Sequence, residues 1–232
     1  MHDDARPPGI LTASWLVARK DLAIEFRTRT AFLAAVVFAL LGVTIFYFAW
    51  DSTAVAAMDL APGVLWVIFT FSALLGLQRS FGVEQADRAI DALLAAPVER
   101  EAIYLGKALA NLAFVVGVEA ITLPALALFY NLPVGEVFLP LAGVAVLAAI
   151  GIVAVGTLFS SMAVNTRLAE LLLPMLSLPF FLPIVMTAAQ TTARLLAGRP
   201  IADAWPWLRI LVGFDVVFIV ACTLAYPFTV EE

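Results

Sequence analysis

Six apolar runs follow one another along this chain, at approximately 30 to 50, 60 to 80, 103 to 130, 137 to 162, 168 to 190 and 208 to 228. Each is near or above the roughly 20 residues a helix needs to cross a bilayer. A backbone inside hydrocarbon must satisfy its own hydrogen bonds, so repeated runs of this kind leave few solutions other than a helical bundle. Composition agrees, with 63% hydrophobic and 13% charged residues among 232 and a mean hydropathy of +1.03. No soluble globular domain has that balance. The expected fold class is an all-α membrane protein: six transmembrane helices, an N-terminal interfacial helix and a short amphipathic helix outside the bilayer.

Basic residues set the expected orientation, because Lys and Arg in short loops stay on the cytoplasmic side. Arg6, Arg19, Lys20, Arg27, Arg29, Arg79, Arg88, Arg100, Lys107 and Arg167 fall on one side of six spans, and only Arg194, Arg199 and Arg209 on the other. Ten against three puts both termini in the cytoplasm. The segments 51 to 59 and 130 to 136 carry no Lys or Arg, as the far side requires. The net charge of −5 says little about partners, since acidic residues contribute weakly to orientation. The third outer segment, 190 to 207, is longer, with Trp205 and Trp207 as interfacial aromatics and room for short re-entrant or surface helices.

Residues 1 to 9, MHDDARPPG, read as a disordered lead, and residues 10 to 232 as one six-span domain. The lead has no early apolar region or small-residue cleavage site, so it is not a signal peptide. Leu11, Trp15, Ala18, Leu22 and Phe26 then recur at helical spacing, with Arg19, Lys20 and Arg27 pointing elsewhere, which predicts a helix lying in the membrane interface. Glu25 sits at the edge of that stripe.

The one long charged interval between two spans is Arg79 to Lys107. Within it Val83, Ile90 and Leu94 recur at helical spacing, Glu84, Asp87 and Asp91 fall on a neighbouring face, and Glu84 precedes Arg88 by one turn. This predicts a short amphipathic helix, loosened at its start by Gly82 and ended by Pro97. Glu99 and Glu101 then suit the positive end of the next helix. Held outside the bilayer, such a helix is either a solvated loop element or a docking element for a soluble partner.

The fifth run holds Pro174, Pro179 and Pro183, which free the carbonyls of Glu170, Met175 and Pro179. Freed carbonyls need partners, so a kinked helix packed against protein is expected, either as a hinge or pathway wall or as a bend that only improves packing. Two carboxylates lie inside spans: Glu119 near the middle of the third and Asp215 about two turns into the sixth, the latter within reach of Arg209. Intramembrane charges commonly face a bundle interior or a polar path. Gly156 and Ser160 would let another helix approach closely.

Catalysis has little to stand on. The only histidine is His2, the single Cys222 is a small core residue, and neither a nucleophile-histidine set nor a metal cluster is present in the sequence. The Gly106-Lys107 pair lacks the upstream glycine and following hydroxyl of a phosphate-binding loop, so ATP hydrolysis would need another chain.

Four stretches give the chain a resemblance to the CcmB family, the permease subunit of the bacterial cytochrome c maturation transporter: ARKDLAIEFRTR at 18 to 29, LAPGVLWVIFTFSALLGLQRSF at 60 to 81, EQADRAIDALLAAPVER at 84 to 100 and LLLPMLSLPFFLPIV at 171 to 185. Where the family pattern has an Asp-Gly pair, this chain has Asp87 and Arg88. The resemblance implies a type-2 ABC exporter permease in the inner membrane, paired with a second copy of itself and with two copies of a CcmA-like ATPase. It implies that segment 83 to 95 is the coupling helix, with Glu84, Asp87, Arg88, Ile90, Asp91 and Leu94 contacting that ATPase. It also implies a CcmC-like heme-handling membrane protein, a small single-span subunit and a CcmE-like periplasmic heme chaperone as partners. No cofactor is assigned to the chain itself; heme enters as an indirect cargo and ATP belongs to the partner. Two other classes stay open. One is a permease of the same fold exporting a lipid or polysaccharide, and the other is an ion-coupled secondary transporter using Glu119.

Overall fold

The structure is a computed structural model that describes residues 9–80, 98–133, 135–163 and 169–229. Among these residues there are seven helices and no strands: α1 (Ile10–Thr28), α2 (Thr30–Ala49), α3 (Ala57–Arg79), α4 (Arg100–Phe129), α5 (Phe138–Ala163), α6 (Ala169–Leu196) and α7 (Ile201–Thr229). The last six are long and apolar enough to cross a membrane. The expected lead at residues 1 to 8 and the expected helix at 83 to 95, with Glu84, Asp87, Arg88, Ile90, Asp91 and Leu94, lie outside the described residues.

α3, α4 and α5 supply most of the core. Trp66, Phe69, Leu77, Leu126, Ala148 and Ile152 are fully buried among them, with α6 and α7 packed on α5. Association in lipid depends on close fit and interhelical hydrogen bonds, because burial against another helix offers no hydrophobic gain over burial in acyl chains. Small residues provide the fit. A Cβ on Gly156 would fall 2.4 Å from Leu77 Cδ1, and the neighbouring Ser160 Oγ donates to Leu77 O at 2.7 Å, so this pair does receive a neighbouring helix. Trp66 Nε1 donates to Thr192 Oγ1 at 3.0 Å, joining α3 to α6 in the buried interior. Thr192→Val keeps the volume and leaves the indole N–H without its acceptor. It should cost about 0.6 kcal/mol, the mean for such bonds in bilayers, read as a lower thermal midpoint in detergent.

The structure corrects two expectations. The 190 to 207 segment is no long outer loop: α6 runs to Leu196, α7 starts at Ile201, and a four-residue turn joins them. Gly198 makes that turn possible at φ 67, a conformation open to glycine. Arg194 stacks over Trp207, 5.1 Å from the ring centroid, and Arg209 over Trp205 at 5.7 Å, so two arginines at this end of the bundle pair with two tryptophans.

The proline-rich α6 is not enclosed by protein either. Leu173, Ser177, Phe181 and Ile184 face the bundle, but Leu171, Met175, Leu182 and Met186 form an open apolar face and Pro179 is itself exposed.

On α1 the buried face is the one with small residues, and the stripe of large residues stays on the outside. Ala13, Ser14, Val17 and Ala18 pack inward, whereas Leu11, Trp15 and Phe26 stay exposed. Only Ala18 of the expected stripe belongs to the protein interior. The large apolar residues are thus left to lipid, as an interfacial helix requires.

At the opposite end of α2, Asp51 Oδ1 accepts the Thr53 hydroxyl at 2.6 Å and the Thr53 N–H at 2.9 Å. These bonds, the hydroxyl first, hold the Asp51 carboxyl below the usual carboxylate range.

Candidate functional site: a polar junction where α3 ends and α4 begins

A helix finishes with carbonyls that have no intrahelical partner and with the negative end of its dipole. α3 finishes at Arg79 with Ser80 as its C-cap, next to the long charged interval. Its terminal oxygens are taken up by two other helices, α4 and α5. Lys107 Nζ, from α4, donates to Ser80 O at 3.0 Å and to Asp21 Oδ2 of α1 at 3.2 Å. Asn111 Nδ2, one turn further along α4, donates to Ser80 Oγ at 2.9 Å and to Thr157 Oγ1 of α5 at 3.0 Å. Ser160 covers Leu77 O from α5.

Lys107 is 0% exposed and Asp21 17%, and Asp21 is shared with Lys20 at 3.2 Å. A buried cation is tolerable only with good partners. Here they are a carboxylate and the oxygen at the C-terminus of α3, where positive charge is favoured.

Sequence fixes how closely α1 can approach this junction. Gly106 precedes Lys107, and a Cβ there would lie 2.6 Å from both Ser14 O and Val17 Cβ. Glycine therefore lets the backbones of α1 and α4 touch, which brings Asp21 to Lys107. At the next corner Glu25 Oε1 accepts the Phe32 N–H at 2.9 Å, giving α2 a carboxylate at its N-terminal dipole end. Arg29 makes the corner itself at φ 55. The residue that only blemished an apolar stripe in the sequence thus caps the first span.

Two further ties close the same end of the bundle: Arg100 Nη1 donates to Pro227 O at 3.3 Å, and Ser161 Oγ lies 3.3 Å from Thr229 Oγ1. Deeper in, Tyr104 OH donates to Ala154 O at 2.9 Å. Tyr104 also meets Tyr226 at 5.5 Å, and Cys222 is a buried residue of the core cluster they share.

The intramembrane carboxylates stand apart from the junction. Glu119 and Asp215 are each 4% exposed, and neither accepts a hydrogen bond from a described residue. They are therefore not bonded to one another. α7 starts at Ile201, so Asp215 is near its middle and not two turns from an end. It does not reach Arg209: a Cβ on Gly151 of α5 would fall 2.5 Å from its Oδ1 and 2.8 Å from Ile184 Cδ1 of α6. Asp215 sits where α5, α6 and α7 meet.

Sequence reasoning missed the junction's centre. Lys107 was counted as an orienting charge and tested as part of a phosphate loop, although a lysine inside the 103 to 130 apolar run was itself a signal. Asp21, Ser80, Asn111 and Thr157 carry no signal of their own; only the packing brings them together.

A bundle of six apolar helices, with a polar junction at the ends of α3 and α4, defines a multi-span membrane permease. The model of the CcmB protein family matches residues 12–232. The chain belongs to the CcmB family. It is 30% identical over 207 residues to heme exporter protein B of Paracoccus denitrificans (strain Pd 1222), covering 89% of each chain. Similarity also extends to heme exporter protein B of Rhodobacter capsulatus, at 28% over 175 residues covering 75% of this chain and 80% of that one. With heme exporter protein B of Pseudomonas aeruginosa it is 25% identical over 202 residues, 85% of this chain and 88% of that one.

Proposed function

We propose that this chain is the permease subunit of an ABC transporter for cytochrome c maturation in the bacterial inner membrane, with both termini cytoplasmic. ATP hydrolysis on a separate CcmA-like ATPase, present in two copies, drives heme trafficking and release of the heme-loaded chaperone. The observation that carries this reading is the junction at the two ends of the charged interval, where α3 ends with Ser80 as its C-cap and α4 begins at Arg100. Both of its roots are tied through Ser80, Lys107 and Asp21 to the interfacial helix. A push on that interval is delivered to α1, α3, α4 and α5 together.

Lys107 turns this into a mechanism. Tilting α3 moves Ser80, and Lys107 must either follow it or exchange its bond. Following it moves α4, and keeping Asp21 while doing so moves α1. Motion thus enters two spans and the interfacial helix without unpairing a buried charge. The proline-rich α6 and the buried Glu119 and Asp215 would respond to the rearranged packing of α3 and α5. ATPase activity and ATP binding belong to the partner. Heme is the cargo of the assembly, handled with a CcmC-like membrane protein, a small single-span subunit and a CcmE-like chaperone.

Two experiments test the reading. In a strain lacking this chain, a heme stain should show c-type cytochromes gone and heme stranded on the chaperone, with b-type cytochromes intact; normal c-type cytochromes would overturn it in favour of a permease for another cargo. Reversing the charge at Asp87 and Asp91 together should abolish co-purification of the ATPase while leaving the permease folded. Intact co-purification would remove 83 to 95 as the coupling element.

A further inference from the structure

Beneath the second half of α1 lies a cavity of about 900 Å³, bounded by the α1–α2 corner and by adjoining faces of α3 and α4. Its walls are apolar: Phe26 of α1, Phe32 and Leu33 of α2, and Ala113 and Phe114 of α4. The rings of Phe32 and Phe114 meet edge to face at 5.8 Å and 89°, forming a rigid side. The space is open on one side, with Phe26 72% and Leu33 55% exposed, so it is a groove with the volume, roughly 300 to 1,000 Å³, of a small-ligand site.

The rim carries two carboxylates, Asp21 and Glu25, and one arginine, Arg29. Of its two carboxylates, Asp21 is held by Lys20 and Lys107, and Glu25 accepts the Phe32 N–H. Arg29 is different. Among the described residues its guanidinium makes one hydrogen bond, from Nε to Phe26 O at 3.2 Å, and no ion pair. Arg29 is exposed and opens onto the cavity.

We propose that this cavity holds an acyl chain of one anionic phospholipid, with the lipid phosphate at Arg29. The occupant must be apolar along its length and anionic at one end, and the cavity lies where an amphipathic helix turns into a span. Acyl chains and headgroups meet at that level, and a basic residue beside the surface selects anionic lipid. The phosphate would use the guanidinium donors that the chain leaves open. Seated there, the lipid completes the packing between α1 and α2, which otherwise join only at their corner. The inference rests on neither the cargo nor the ATPase.

The test uses the full chain reconstituted in vesicles of equal parts phosphatidylethanolamine and phosphatidylglycerol, then released for native mass spectrometry. The expected result is one retained phospholipid, with phosphatidylglycerol enriched about fivefold over the bulk mixture for one arginine contact. Arg29→Asn keeps a residue that tolerates φ above zero; it should retain lipid but lose the enrichment. Ala113→Trp, or Leu33→Trp from the opposite wall, fills the cavity and should abolish retention. Absence of retained lipid in the unaltered chain, equal retention in both filled variants, or unchanged enrichment in Arg29→Asn would each overturn the proposal. So would a disulfide-linked dimer of Ala113→Cys in place of a retained lipid, because a second copy of this chain would then be the occupant.

Discussion

Asp21→Ala should destabilise the chain by about 3 kcal/mol, the lower end of the cost of stripping one partner from a buried ion pair. The lower end applies because Asp21 retains 17% exposure. Lys107 would lose its carboxylate and keep its bond to Ser80 O, in a place where its side chain is 0% exposed. The loss should be local before it is global. α1 packs mainly on α4, so its amides should gain hydrogen exchange ahead of those in the core of α3 and α5. Lys107→Met makes the informative comparison. It removes the charge and keeps most of the stem volume, and Asp21 still has Lys20. Lys107→Met should therefore cost less than Asp21→Ala. The opposite order, or unchanged protection of α1 in Asp21→Ala, would show that the pair does not hold the interfacial helix.

Gly106→Leu should have a comparable effect by a steric route. The first added carbon would already stand 2.6 Å from Ser14 O and Val17 Cβ. One of these is backbone and the other a stiff branched carbon, so no rotamer change makes room; α1 must move away from α4. Overpacking of this kind costs about 1 to 3 kcal/mol, and here it also draws Asp21 away from Lys107. The two changes act on one contact, so they should not add. Placing Asp21→Ala on top of Gly106→Leu should cost well under its value alone, measured by unfolding of both single variants and the double. Full additivity would mean that the closeness of α1 and the ion pair are independent.

Much of this architecture could be read from hydropathy. The six runs of the sequence correspond to α2 through α7, because a span must be about 20 apolar residues whatever its neighbours do. The ends were less legible. Polar residues such as Gln190, Thr191 and Thr192 looked like loop, yet Thr191 and Thr192 are buried on α6, and Thr192 serves Trp66. Polarity in a membrane helix signals a partner as readily as an exit from the bilayer.

The same ambiguity hid the junction. Lys107 and Asn111 sit one turn apart on α4, and their acceptors come from residues 21, 80 and 157. No local pattern links positions so far apart. Likewise Glu25 could be seen as an interruption of a stripe, but its use as a cap for Phe32 depends on the αL turn at Arg29, which composition does not announce. Asp215 was displaced in the sequence reading because Trp205 and Trp207 suggested a loop that the helix in fact absorbs.

The four-residue turn between α6 and α7 also constrains how the chain enters a membrane. So short a link cannot let one helix cross while the other waits on the starting side, so the two must be inserted as a single hairpin. Arg194 and Arg199 lie at or beside its tip and Arg209 about two turns into α7, and the insertion machinery has to carry or retain all three at once. Stacking of Arg194 and Arg209 on Trp207 and Trp205 spreads two of those charges over aromatic faces. Lengthening the turn would divide this one concerted event into two, each with its own opportunity to stop in the wrong orientation.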